Sequence, residues 1–350
     1  MTWKDNPMTG FANTRPVIFF VTVTYLWTWV FWVCALHLFS EPQGLKLALF
    51  LIGGFGPALA GVLTLRLHTG DRDAGAMKPA GFIVGASLAI AALVMFRFDV
   101  FGVSSISPSG LLEFPADSPF YVFGLMGVGV MASGFVFASI QSRDPRLRSY
   151  FSGLVPDRRT LVLAIPVLLF FPVLLISSNG LADLLGMSYD QPKYLAEPMS
   201  LWLPLMFVKL FTVAMLTGGN EEHGWRGVML PLMQKTMSPL VATFIIVVVW
   251  ESWHLPLVFA GIYGEGNPLV ILGVRILAMI PFAFLLTAIY NGSRGSIFLC
   301  IVFHACINSQ INLFGGSMLA NAVGLVLVIV LIVIYRMWRS NSGYLPVSQQ

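Results

Sequence analysis

Three short stretches in the last 150 residues carry side chains that could do chemistry. In TGGNEEHGWRGVML (217–230), two adjacent carboxylates, Glu221 and Glu222, stand beside a histidine and Arg226, directly after the apolar run LWLPLMFVKLFTVAML. Gly218-Gly219-Asn220 breaks that run, and Asn220 is a suitable N-cap for a helix beginning at Glu221. On that helix Glu222 and Arg226 are four apart and can pair, whereas Glu221 points about 100° away, free to face a bundle interior. The plain alternative is a first turn whose acids complement the helix dipole. In VVVWESWHLPLVF (247–259), Trp250 and His254 lie one turn apart, and Pro256 bends the helix beyond them. A packing role is the plain reading of His254. Glu251 faces elsewhere, toward a partner on a neighbouring helix, for which Arg275 is the candidate. In IFLCIVFHACINSQIN (297–312), His304 and Asn308 share a face at i,i+4 spacing, which also suits interhelical hydrogen bonding. Taken together, the stretches offer a carboxylate, two imidazoles and an amide, a set able to activate water and hold an oxyanion.

The elements that must position them are membrane helices. Of 350 residues, 57% are hydrophobic and 10% charged, against about 25% charged in a soluble domain; the mean hydropathy is +0.82. The expected fold is therefore all-α, a polytopic helical bundle. Ionisable groups inside such spans cost about 2.5–3.5 kcal/mol each on insertion scales, which makes them functional candidates. Apolar runs of span length fall roughly at 16–39, 45–67, 80–97, 119–140, 160–179, 201–218, 239–260, 268–290, 295–313 and 318–336, about ten spans, the third short and the ninth a possible re-entrant segment. With the N-terminus inside, fifteen Lys and Arg fall in inner segments and only Lys46, Arg97 and Lys193 in outer ones; both termini are thus expected to be cytoplasmic. The net charge of +4 reflects these short loops and implies no nucleic-acid partner. The first run is read as a retained span rather than a signal peptide. Cys34, Cys300 and Cys306 lie in apolar runs and form neither a disulfide framework nor a cysteine metal site. QSRDPRLRSYFSGLVPDRRT (141–160) is expected to be a basic surface lying on lipid headgroups. Three regions follow: 1–200, transmembrane and without assigned role; 201–313, the core holding all three stretches; and 314–350, a last span and tail.

Depth raises a conflict. At 1.5 Å per residue the two histidines sit roughly 13–22 Å into the bilayer, yet Glu221 falls at the inner end of its run. Either the Gly218-Gly219 break is intramembrane or the seventh span starts late.

EEHGWRG (221–227), WESWH (250–254) and HACIN (304–308) resemble the EExxxR, FxxxH and HxxxN motifs of the CAAX protease and bacteriocin-processing (CPBP, or Abi) family of intramembrane endopeptidases. The flanks WRGVMLPLMQ, WHLPLVFAG and GSIFLCIVFHACIN are similar to those of bacterial members. Trp250 replaces the family's Phe, and ten runs exceed a family core described with eight. By motif position, the resemblance implies that Glu221 is the general base on water, helped by His254. His304 and Asn308 would stabilise the oxyanion, and Glu222 and Arg226 would be structural partners. A carboxylate held away from water binds its proton more tightly, toward the range useful for proton abstraction at neutral pH. Two histidines and a glutamate also form a hydrolytic zinc set; if a metal binds, Glu221, His254 and His304 are its ligands, although the resemblance favours a metal-free reaction without cofactor. The expected partners are a peptide or lipid-modified protein and the bilayer, and the expected location is a bacterial plasma membrane with the site open to the cytoplasm. Two other classes stay open: a transporter using Lys209, Glu251 and Arg275 within its spans, and a non-catalytic peptide-binding or bacteriocin-immunity protein of the same fold.

Overall fold

A computed structural model describes residues 7–37, 43–69, 145–189, 218–315 and 317–339, with positions 203, 206, 207, 210 and 214. The expected spans at 80–97 and 119–140, most of 201–218, and Lys209 lie outside these residues. The described elements are all helical: α1 (Pro7–Thr14), α2 (Pro16–His37), α3 (Gln43–Gly54), α4 (Gly56–Thr69), α5 (Pro145–Leu154), α6 (Arg158–Leu184), α7 (222–234), α8 (Pro239–Trp253), α9 (Leu255–Phe259), α10 (Pro268–Gly292), α11 (Ile297–Phe314) and α12 (Met318–Ile334). The chain is a polytopic helical membrane protein. Pro16–Leu36, Leu49–Leu67, Arg158–Leu184 and Pro268–Gly292 are long and apolar enough to cross a bilayer, and α8, α11 and α12 contain shorter apolar helices.

Local sequence explains where these helices begin. Ser238, Asn267, Ser296 and Ser317 accept hydrogen bonds from backbone N–H groups two or three residues on, at the starts of α8, α10, α11 and α12. Pro239 and Pro268 occupy the first helical position, where a missing N–H costs nothing. Asp157 does the same for α6 through Thr160 N at 2.7 Å.

The bundle is apolar outside and polar in its seams, as a bilayer requires. Leu161, Val162, Ile165, Leu169, Val173 and Ile176 are exposed along α6, on a surface suited to lipid. Inside, the Thr243 hydroxyl on α8 donates to Pro239 O of its own helix and accepts from the Thr287 hydroxyl on α10. Asn179 on α6 reaches Phe314 O, and Gln310 on α11 reaches Leu168 O, so two amides tie α6 to α11.

Two expectations change. The run 239–260 is not one helix: α8 ends at Trp253 and α9 starts at Leu255, with His254 between them. Pro256, which lacks an N–H, sits in the first turn of α9, so the chain restarts there rather than merely bending. The basic loop 141–160 is not a plain surface loop either. It contains α5, whose Tyr150 is 1% exposed and lies against Gly227 of α7.

Candidate active site

The first acidic stretch lies inside the bundle. Gly218, at φ +119°, turns the chain into a 3-10 turn (Gly219–Glu221); an α-turn (Glu222–Gly224), a π-helical stretch (Trp225–Met229) and a last α-turn (Leu230–Gln234) follow. Such π-bulges recur at functional sites because they re-aim side chains within a helix. Asn220 does not act as the N-cap: its Oδ1 accepts from Gly218 N at 2.9 Å, and its Nδ2 donates to Gly54 O on α3. The helix of the seventh apolar run does not start late, since α8 begins at Pro239. Glu221 is bonded to Trp250, about 17 Å along α8 from Pro239, and the 222–234 segment is long enough to cover about 18 Å.

The two glutamates separate as their spacing implies. Glu222, fully buried, pairs with Arg226 at 3.0 Å, and the Arg226 guanidinium lies 5.1 Å from the Trp250 ring centroid. Glu222 Oε1 also takes a hydrogen bond from His304 Nδ1 at 2.8 Å. Glu221, 8% exposed, accepts instead from the indole N–H of Trp250 through Oε2 at 2.6 Å. That bond pins one carboxylate oxygen and leaves Oε1 for another donor.

Trp250 is the hinge of the arrangement. Its indole holds Glu221, its ring meets the His304 ring edge-on at 5.2 Å between centroids, and its carbonyl accepts from His254 Nδ1 at 3.1 Å. The last contact follows from the helix break. The backbone N–H of His254 turns to Glu251 O, so the Trp250 carbonyl loses its helical donor and the imidazole supplies one. A carbonyl only accepts, so Nδ1 carries the proton and Nε2 presents its lone pair. Among the described residues no hydrogen bond joins His254 to Glu221 directly; Trp250 links them.

His304 and Asn308 meet at Gly218. His304 Nε2 and Asn308 Nδ2 lie 3.0 and 2.5 Å from the point where a Cβ would stand on residue 218. Both nitrogens thus face the chain break that precedes Glu221, and only glycine fits there, by space and by φ.

The first 70 residues hold the ends of these pieces. Pro57 cannot donate to Gly53 O, and Thr28 of α2 replaces it at 2.7 Å. Trp29 Nε1 donates to the terminal α8 carbonyl of Trp253 at 2.9 Å, Tyr25 donates to Val249 O, and Trp32 stacks at 4.6 Å on Trp253. On α7, Gly224 lies so close to Pro57 of α4 that a Cβ would come within 2.3 Å of its carbonyl oxygen. None of these contacts is visible in motif spacing.

The Glu251–Arg275 pairing is present. Arg275 Nε lies 2.8 Å from Glu251 Oε2, a charge contact without hydrogen-bond alignment, and the guanidinium stacks 3.5 Å from the Tyr263 ring centroid. Tyr263 meets the His254 ring edge-on at 5.8 Å. Among the described residues no three His, Cys, Asp or Glu side chains are gathered closely enough to hold a metal ion.

Residues 202–310, which include all three motifs, match the family described as type II CAAX prenyl endopeptidase Rce1-like. CAAX prenyl protease 2 of Methanococcus maripaludis is 31% identical over 106 residues, 29% of this chain and 39% of that relative's length. Both matches support the Rce1-like, CPBP-type family that the motifs resemble.

Proposed function

We propose that this protein is an intramembrane endopeptidase that cleaves a membrane-associated or lipid-modified peptide with a water activated by Glu221. The observation that carries the reading is the placement of Trp250: one residue fixes the Glu221 carboxylate, packs on His304 and seats His254. The name of the Methanococcus relative, a prenyl protease, makes a prenylated peptide the first substrate to try.

With Oε2 held by the indole, Glu221 Oε1 accepts a proton from water as the water oxygen attacks the scissile carbonyl carbon. His254 Nε2 accepts a second hydrogen bond from that water and orients it. The carbonyl oxygen becomes an oxyanion, for which Asn308 Nδ2–H and the Nε2–H of a protonated His304 are the donors. Glu222, on Nδ1 of the same ring, balances the imidazolium charge. Glu221 then returns its proton to the leaving amine as the C–N bond breaks. Arg226 neutralises Glu222 and keeps the two adjacent acids from competing for one proton. No step runs through a metal.

The excess of Lys and Arg in the inner segments is the basis for placing the mouth of the site on the cytoplasmic side of a plasma membrane. The test is cleavage of an S-farnesyl-cysteine peptide by purified, folded protein. Glu221→Gln and His304→Ala are expected to lower kcat by about 10²–10⁴-fold, and His254→Ala by about 10²-fold. EDTA treatment is expected to leave turnover within about twofold, in contrast to a zinc hydrolase stripped of its metal. Full activity in all three variants would remove the proposal.

A further inference from the structure

The Glu251–Arg275–Tyr263 cluster has no part in the reaction above, yet it borders the site. Glu251 is one turn before His254, and Tyr263, on which Arg275 stacks, meets the His254 ring edge-on. Arg275 is seven residues into α10, a membrane-crossing helix, where an arginine is costly and tends to mark a functional path.

A pair that served only packing would be closed, as Glu222–Arg226 is. This one is not. Glu251 is 1% exposed, but the Arg275 side chain keeps 21% of its surface open. Glu251 Oε2 approaches Arg275 at Nε, 2.8 Å away. Stacking on Tyr263 sets the plane of the guanidinium. Among the described residues nothing bonds the Nη1–Nη2 edge. That edge offers two parallel N–H donors, the geometry that takes a carboxylate bidentately.

We propose that Arg275 anchors the free C-terminal carboxylate of the peptide substrate, so that the bond offered to Glu221 lies a few residues from the substrate's end. The assignment deepens the endopeptidase reading and rests on it. A carboxylate arriving at the open edge completes the charge balance that Glu251 begins. Tyr263 and His254 separate the anchor from the water, which sets a distance between the carboxylate and the scissile bond. Arg275 is then a specificity-determining residue, and Glu251 and Tyr263 position it.

The test uses two fluorogenic peptides with S-farnesyl-cysteine fourth from the C-terminus, identical except that one ends in a carboxylate and the other in a carboxamide. For the full chain in nanodiscs, kcat/KM is expected to be at least tenfold lower for the amide, mainly through KM. Arg275→Gln should abolish the preference for acid over amide, and Arg275→Lys should retain part of it. Because Arg275→Gln strands Glu251, the Glu251→Gln/Arg275→Gln double variant, which buries no charge, is measured beside it and should likewise lack the preference. Equal cleavage of both peptides by the unmodified chain, or a persistent preference in the double variant, overturns the anchor and leaves the peptidase reading standing. Binding of the released tripeptide, as acid or amide, to the Glu221→Gln protein gives a readout without turnover. If the unmodified chain cleaves neither peptide but the acid binds at least tenfold more tightly than the amide, the peptidase reading fails and the anchor stands. If neither cleavage nor a binding difference is seen, both fail.

Discussion

Two glutamate–arginine pairs lie within the same bundle, and they are built for different ends. Glu222 and Arg226 share one helix at i,i+4 spacing, both at zero exposure, with His304 supplying a third contact. Glu251 and Arg275 come from α8 and α10, and the arginine stays partly open. Each arginine also faces an aromatic ring, Trp250 in the first case and Tyr263 in the second. The chemistry is the same and the closure is not. A sealed ion pair fixes the direction of its neighbours, here Nδ1 of His304, whereas an open one keeps donors for an arriving group. Composition alone does not separate a scaffold pair from a binding pair. Exposure does.

Four sites test the difference between the two pairs. The largest effect belongs to the sealed pair. Glu222→Gln leaves a charged Arg226 buried and is expected to cost about 3–5 kcal/mol of stability, read by chemical unfolding in detergent, with loss of cleavage as His304 loses its partner. Replacing Glu222 and Arg226 together by Met should recover most of that stability without recovering activity; recovery of both would make the pair a mere packing solution. At the open pair, Glu251→Gln should cost about 1–2 kcal/mol, because Arg275 is only partly buried and keeps its stack on Tyr263. A loss as large as that of Glu222→Gln would erase the distinction drawn here.

Trp250→Phe restores the residue type of the related motif and removes the indole N–H from Glu221. About tenfold lower kcat, or 1.4 kcal/mol in barrier, is expected with little change in unfolding midpoint. A smaller change than twofold would mean that Glu221 needs no fixed oxygen. The smallest effect is at the helix that carries a member of each cluster. Trp29→Phe removes one hydrogen bond to Trp253 O and should cost about 0.6 kcal/mol, typical of interhelical bonds in a bilayer, with a modest rise in KM as α8 and His254 loosen.

Much of the site's content was legible before any coordinates. The Glu222–Arg226 pairing and the exclusion of Glu221 from it follow from helical periodicity; the three ordered motifs came from a family resemblance, and Arg275 was a candidate partner for Glu251 because charge is costly in apolar surroundings. The conflict in depth at Glu221 needed only the rise per residue, which left an intramembrane break and a late seventh span both open. What was not legible depends on orientation between elements. Trp250 reads as an aromatic packing substitution, and nothing in its position says that its N–H reaches Glu221. Contact between His304 and Glu222 joins positions 82 apart that no periodicity relates. Neither the π-helical turn at Trp225–Met229 nor the helix end at Trp253 has a sequence rule sharp enough to be anticipated. Of the fold, the seven apolar runs that lie within the described residues hold helices, but the docking of α5 against α7 required a structure, because a basic segment with a single buried tyrosine reads as surface.

The indoles and hydroxyls of α2 lead to one further point. They close carbonyls that Pro57 and the end of α8 leave open, so the motif helix α8 is finished by a donor 224 residues upstream of the carbonyl it closes. Grafting the motif-bearing half onto another set of leading helices would transplant every reactive side chain and still leave α8 unmoored. A working chimera must bring equivalents of Thr28 and Trp29 with it.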